Sequence, residues 1–598
     1  MDIDVEKRVN EAIEQLRKIS IDDIDFNQLD PVARMMLIAL INETQKIQDY
    51  VESTTQRIVE RYSSDFIPYE KINAVPAITL IHSSFKSQKD TEIINVGSGA
   101  SFAYKTNNSK QTLNYIPLFN TTFIGYSDLY VLSSRKMSYS QGTSMINLDT
   151  PNYVWIGITT KAEIESLQGL SLLITGTNGI LPEHILVGTS DTELDISTMQ
   201  KLEDIEMAEP FDAQQSSGQF FSFLNVWKEN LLNMDNAALV YITDDVKDRD
   251  LFKPRAYPRV FQQMLEEKTL DCFAANTLWL KLEFPEGYVV PDTCDIKINV
   301  LPVVNVDINS LTLTQTAPIA KLQKQEGAFF LKILETSSSL HKQGFGMASE
   351  EITVRDFDAS RYHNGDLYKE VRNLYNHFID DYYAFIEYNG IKDGEVLKQL
   401  RQTINQLGQG VGVKNTKFKF DSGTYVMKNM NQNPLTSSTK VTYITTQGEV
   451  GNTPKIGDTM ENKKLPAVDQ KVSVVVSAMG GTDKASADER YELLRYFSLT
   501  NDRLYTKMDI EAFLRKEIMA KFGKEEFKRI FIRISIQGAG SATTLQRGLY
   551  IDIAFKDKKN YDKAIEDAFD KQMKLKIEGK SCITMPIIVG LENLEKQQ

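Results

Sequence analysis

The chain begins with helical spacing. Val5, Val9, Ala12, Ile13 and Leu16 fall on one stripe, and a second stripe opens at Asp30-Pro31. Asp30 suits an N-cap, and Pro31 suits the first turn, where its missing N–H would be unpaired anyway. Apolar positions then run through Met36, Leu37, Leu40, Ile41, Ile47, Val51 and Ile58, with polar flanks at Gln45, Lys46, Gln48 and Glu52. Unbroken to Tyr62, this helix would span on the order of 48 Å at 1.5 Å per residue. It suits either a core helix of a large domain or a thin-striped helix that bundles with partner chains.

From Pro68 the period changes to that of strands. Pro76–Ile81, Tyr115–Leu118, Leu129–Leu132, Tyr153–Ile158 and Leu172–Ile174 are candidates, and Glu92–Tyr104 reads as a hairpin about Gly97-Ser98-Gly99. Their spacing suggests a sandwich or small barrel. Gln200–Trp227 is polar, and Gln214-Gln215-Ser216-Ser217-Gly218 reads as a boundary. A short helix at Val260–Leu265 and strands at Leu278–Phe284, Ile296–Val306 and Phe329–Leu334 follow. Two helices come next, one carrying Leu367, Val371, Leu374, Phe378 and Tyr382, the other Val396, Leu400, Ile404 and Leu407. Weak strands occupy 409–468.

The region from Lys471 to Phe522 reads as a structural joint. A strand, Val472–Val476, precedes Gly480-Gly481, a charged helix start at Ser486–Glu489 and a second helix beyond Thr506. Thr506 and Asp509 have capping-box spacing, with Asp509 in place of Glu or Gln. Gly523 can end that helix. Ile530, Ile532, Ile534 and Ile536 then alternate with Arg529, Phe531, Arg533 and Ser535, as do Leu549, Ile551, Ile553 and Phe555 with their neighbours. A helix from Asn560 to about Lys574 and a strand at Ile583–Val589 complete the chain. The expected fold is multidomain α+β: N-terminal long helices, β-rich sandwich- or barrel-like middle domains, and a C-terminal ferredoxin-like α+β domain. The expected domains are a helical segment at 1–75, β-rich domains at 76–205 and 206–345, a helical pair with a glycine-rich connection at 346–468, and an α+β domain at 469–598.

Composition narrows the function classes. The 598 residues exceed one core and predict several domains, and 41% hydrophobic with 25% charged residues is ordinary for a globular protein. The net charge of −13 disfavours nucleic acid, whose backbone needs a positive surface. Three cysteines, Cys272, Cys294 and Cys582, form no CxxC and suggest a reducing, cytoplasmic setting. The acidic N-terminus lacks the apolar core of a signal peptide, and the longest apolar run, Met35–Ile41, is far short of the roughly 20 residues a membrane helix needs.

Candidate chemistry is sparse. The histidines His82, His184, His341, His363 and His377 show no metal-binding i, i+4 pair and no HExxH. Gly538-Ala539-Gly540 follows a strand, but Arg547–Phe555 is another strand where a dinucleotide loop needs a helix. In Gly408–Lys414, Val413 stands where glycine must precede the lysine of a phosphate loop, and Asn415 replaces the magnesium-holding hydroxyl. Asp244-Asp245 and Asp380-Asp381 are adjacent pairs, not carboxylates facing across a cleft. No catalytic, cofactor-binding or metal residue is assigned, and none is expected.

The order of several short segments resembles that of a known family. Asp30–Met36 opens a long proline-led helix. Phe66-Ile67-Pro68 and Val75-Pro76-Ala77 enter the first β domain. Leu278–Phe284 carries a central tryptophan, Leu301–Val306 reads Leu-Pro-Val-Val-Asn-Val, and Thr445–Asn452 is a glycine-bearing turn before the last domain. With the Gly-Gly and Thr-x-x-Asp pattern of the joint, these resemble TssF, the wedge-subunit family of the type VI secretion baseplate, and more distantly the wedge proteins of contractile phage baseplates. The resemblance implies a non-enzymatic assembly protein, paired as two TssF copies with one TssG and joined by TssK and TssE. Such wedges surround the VgrG spike and support the contractile sheath, at the cytoplasmic face of the inner membrane and without inserting into it. It places a partner-helix interface at Leu37, Leu40, Ile47 and Val51, and a ring-domain joint at Gly480, Gly481, Thr506 and Asp509. A phage-like injection machine shares this pattern. A glycan-active enzyme is a weaker alternative, suggested by the β domains and by Tyr382 and Tyr383.

Overall fold

The computed structural model describes chiefly residues 66–357 and 423–594, less short stretches of which the longest are 84–91, 344–351 and 429–437. The N-terminal stripes, the two helices between Leu367 and Leu407, His341, His363, His377, Asp380, Asp381 and Gly408–Lys414 lie outside the described residues. The chain forms two compact units, one of Tyr69–Asp356 with Gly423–Lys484, the other of Met1–Pro68, Phe357–Ser422 and Ala485–Gln598.

The first unit contains a six-stranded closed barrel. Its strands are Ile78–His82, Val300–Asn305, Thr112–Pro117, Phe102–Lys105, Thr459–Asn462 and Lys471–Met479, all paired antiparallel. Alternation along Val300–Asn305 divides the side chains. Leu301 and Val303 fill a core with Phe102, Leu113, Tyr115, Val472 and Val474, whereas Val300 and Val304 join a second core with Trp227 and Phe223. Lys471–Met479 therefore belongs to the barrel. That corrects its expected place beside the C-terminal strands: with Val472, Val474 and Ala478 buried, it closes the barrel against Ile78–His82.

Beside the barrel stands a sandwich, as the strand spacing suggests. A seven-stranded sheet centred on Tyr153–Thr159 and Thr277–Glu283 faces a four-stranded sheet containing Ser171–Thr175, Ala237–Ile242 and Asp295–Ile298. Ile156, Ile158, Leu280 and Leu282 of the first meet Leu172, Ile174, Val240 and Ile296 of the second in one apolar core. The expected hairpin at Glu92–Tyr104 does not form. Ala100 N–H does close a turn on Gly97 O, but Ile93–Val96 pairs with Thr121–Ile124, and Phe102–Lys105 pairs with Thr112–Pro117 in the barrel. The polar reading of Gln200–Trp227 also changes. Gly218–Leu232 is a helix whose Phe223, Trp227 and Leu231 are buried at i, i+4, i+8 spacing.

A smaller two-sheet element completes the unit. Asp307–Thr314, Ser438–Thr446, Phe329–Ser338 and Lys342–Gln343 form one sheet, and Ile319–Lys321, Gly423–Lys428 and Ile352–Phe357 the other. Leu313, Leu322, Ile352, Val426, Val441 and Tyr443 are buried between them.

In the second unit, helices Ala487–Thr500 and Lys507–Phe527 precede strands Ile530–Ala539 and Gln546–Phe555. Helices Lys558–Glu566 and Phe569–Lys580 then lead to strand Ile587–Asn593. The first two strands are antiparallel and the last joins parallel. Ile551, Ile553 and Phe555 pack with Phe513, Ile518, Phe569 and Met573. The α+β class holds, but the ferredoxin-like outline does not: the sheet has three strands in chain order, because Lys471–Met479 is used elsewhere. The single helix expected at Asn560–Lys574 is two, broken where Ala568 takes φ 48°.

Candidate functional site

Four of the segments noted for their order, Val75-Pro76-Ala77, Leu301–Val306, Thr445–Asn452 and Gly480-Gly481, meet in one hydrogen-bonded joint at an end of the barrel, whereas Leu278–Phe284 runs through the sandwich. Val75 and Thr482 exchange backbone bonds, N–H to O, at 2.9 and 3.1 Å, and Asn305 N–H reaches Ala77 O at 2.8 Å. Asn305 is fully buried. Its side-chain N–H donates to Asn114 O at 3.1 Å, and its Oδ1 accepts from Gln447 N–H at 3.2 Å. Thr446 Oγ1 donates to Asn305 O at 2.9 Å and accepts from Gly448 N–H at 3.2 Å. Trp227 Nε1 donates to Pro76 O at 2.9 Å, pinning the missed helix to the same place.

The turn Gly448–Asn452 is held from both sides. Tyr115 donates its phenol proton to Gly451 O at 2.6 Å, and burial pushes that phenol far above its ordinary pKa, so it remains a donor. Asn452 makes a reciprocal pair with Gly481, accepting from its N–H at 2.9 Å and donating to its O at 2.7 Å. Glu449 N–H donates to Asp483 Oδ1 at 2.8 Å. A Cβ on Gly481 would overlap the Gly448 carbonyl oxygen and stand 2.9 Å from both Ala77 Cβ and Asn452 Oδ1, so the close approach requires glycine. Gly480 has φ 78°, which favours glycine for a different reason.

A single residue transfers the chain from sandwich to barrel. Asn299 stands between Asp295–Ile298 and Val300–Asn305 with φ 58°, fully buried. It holds this left-handed conformation by bonding both amide atoms to one residue: Ile124 N–H donates to Oδ1 at 2.9 Å, and Nδ2 donates to Ile124 O at 2.8 Å. Its O also accepts from Ser83 N–H at 3.4 Å. By alternation alone, Ile296–Val306 reads as one continuous run. The available signal was an asparagine interrupting two apolar alternations, Ile296–Ile298 and Val300–Val304.

Thr506 and Asp509 belong to the other unit and to a separate network. Asp509 Oδ2 accepts from Tyr505 N–H at 3.0 Å and Thr506 N–H at 2.8 Å, while Asp509 N–H donates to Thr506 Oγ1 at 3.2 Å. This reciprocal cap starts the helix Lys507–Phe527, and Gly523, at φ 77°, interrupts it. Burial works to raise the Asp509 carboxyl pKa, but the Thr506 and Tyr505 donors outweigh it and hold the group below its ordinary range. The preceding helix carries a full capping box at Ser486 and Glu489. Gly480 and Gly481 thus belong to one unit, and Thr506 and Asp509 to the other. The stripe Leu37, Leu40, Ile47 and Val51 lies outside the described residues.

No family model and no curated protein matches the chain. Among solved structures it is similar to a chain of the type VI secretion system TssK-TssF-TssG baseplate subcomplex, at 9% identity, covering 95% of this chain and 97% of that one with a TM-score of 0.41. It is also similar to a chain of the baseplate complex from the type VI secretion system, at 10% identity, covering 100% and 97%, with a TM-score of 0.33.

In the joint, Asn305, Asn452, Thr446 and Trp227 bond to backbone through their side chains, and the Tyr115 phenol is locked as a donor. Asp244 accepts from Val246 N–H and from Asp195 N–H, which makes it a turn residue. His184 faces Glu193 on an exposed hairpin, and the carboxylate raises its pKa. Gly538 lies within a strand, paired with Arg547 across a hairpin. No cluster of His, Cys, Asp or Glu among the described residues could hold a metal, and no described helix is long and apolar enough to cross a membrane.

Proposed function

We propose that this chain is a structural wedge subunit of a type VI secretion baseplate, paired as two copies with TssG and joined by TssK and TssE. In this reading the wedges surround a VgrG spike at the cytoplasmic face of the inner membrane and support the sheath. The observation that carries it is the joint itself. Val75-Pro76-Ala77, Leu301–Val306, Thr445–Asn452 and Gly480-Gly481, separate in sequence, bond directly to one another. Four segments that carry the family-like order thus bond into one structural core, which supports a scaffold reading. The role is assembly, with Leu37, Leu40, Ile47 and Val51 as the helix face toward TssG, and the 485–598 portion as the ring-forming part.

The test is capture of the tagged full chain from its own cells, with masses and stoichiometry of what accompanies it. TssG at half the chain's amount, with TssK, is the expected result. Recovery with tail-fibre and head proteins would assign the chain to a phage-like machine instead. Charged substitution of Leu40 and Ile47 should remove TssG from the capture, and retained TssG would overturn that interface.

A further inference from the structure

The two-sheet element at Asp307–Thr314 and Ser438–Thr446 differs from the rest of its unit in what fills its core. Among the described residues, six apolar side chains are buried in its core, against more than twenty between the sheets of the large sandwich. Its core face also carries hydroxyls. Thr439, Val441 and Tyr443 alternate onto one face of the strand, and Thr336 stands directly opposite Val441 on the neighbouring strand. Thr336 Oγ1, Thr439 Oγ1 and Tyr443 Oη are buried without a protein hydrogen-bond partner, three of the seven such side-chain atoms among the described residues. Three hydroxyls grouped on one small core reduce its stability twice: they replace methyl burial, and their own bonding is not returned within the protein.

The same strand is fixed firmly at its other end. Thr446 and Gln447 bond Asn305 in the joint, and Thr445 pairs with Asp307. Gln447 Oε1 is itself buried without a protein hydrogen-bond partner, but the anchor is bonded through Asn305 at several atoms, so one strand joins a multiply bonded anchor to a core with three partnerless hydroxyls. We propose that this small sandwich is a built-in opening element. The sheet of Ile319–Lys321, Ile352–Phe357 and Gly423–Lys428 separates from Ser438–Thr446 while the barrel and the joint stay closed. Opening hydrates the three hydroxyls and exposes the edge of that sheet, giving the unit a second conformation without loss of its main cores.

Hydrogen exchange on the full chain tests this. The amides of 319–321, 352–357 and 423–428 should exchange through a separate, lower-energy opening than those of the barrel strands 300–305 and 471–479. The combined variant T336V, T439V and Y443F should slow exchange in those three strands by about tenfold or more, leaving the barrel amides unchanged. Thr442→Val, on the opposite face of the same strand, should leave the pattern as it is. Equal protection of the small sandwich and the barrel would overturn the proposal. So would unchanged or faster exchange in the triple variant, which would mean that the hydroxyls stabilise the closed form.

Discussion

At the residue scale, the fold depends on a few positions where backbone and side chain must satisfy one another in little space. Asn299 is the most constrained. Replacing it with alanine leaves a positive φ on a residue that disfavours it, and removes both bonds to Ile124. A loss of roughly 2–4 kcal/mol is expected, read as a lower urea midpoint with an unchanged slope. Glycine at the same place should be milder than alanine, because it keeps the conformation and loses only the amide bonds. Gly481→Ala should cost about 1–3 kcal/mol through its clash with the Gly448 carbonyl and its contacts with Ala77 and Asn452. Asp509 carries the pH dependence of its cap. Its folded pKa is depressed, so its stabilisation is present above the unfolded carboxylate value and is lost as pH falls through the folded one. Asp509→Asn should therefore flatten the acid limb of a stability–pH profile below about pH 4 and leave its shape near neutrality unchanged.

Elements with local signals were the legible ones. The Thr506–Asp509 cap, the Ser486–Glu489 start and the break at Gly523 depend on neighbours within a turn, and spacing marks all three, although the helix resumes beyond Gly523 to Phe527. Thr506→Ala should cost about 1 kcal/mol and fray the start of Lys507–Phe527, visible as faster amide exchange in its first turn. The helix Gly218–Leu232 is hidden by the polar run Gln214–Gly218 before it, which reads as a boundary, although Phe220, Phe221, Phe223, Leu224, Val226, Trp227, Leu231 and Leu232 make the helix itself richly apolar. Trp227→Ala should lose about 3–5 kcal/mol, since its ring is fully buried and its indole N–H holds Pro76 O.

For the whole molecule, the barrel decides where the chain can be divided. Lys471–Met479 closes it against Ile78–His82, so a chain ending at 468 lacks a barrel strand, whereas one ending at 484 keeps it. The first should be insoluble or lack a near-ultraviolet tertiary signal, and the second should retain that signal. Equal behaviour of the two would contradict the barrel's closure. Any test of the C-terminal α+β portion in ring assembly should accordingly remove 485–598 and leave 469–484 in place.

The sequence by itself determined the local periods: strands from alternation, helix ends from caps and glycines, and the order of the short segments that meet in the joint. These follow from interactions between residues a few positions apart. Only the tertiary structure decided which strands pair. Ile78 stands opposite Val304, and Leu80 opposite Val476, over separations on which alternation is silent. A strand's pattern says that one face is buried, not against what. For that reason Lys471–Met479 reads alike whether it closes a barrel or opens a C-terminal sheet, and Asn299 reads as an ordinary polar residue until the Ile124 backbone is beside it.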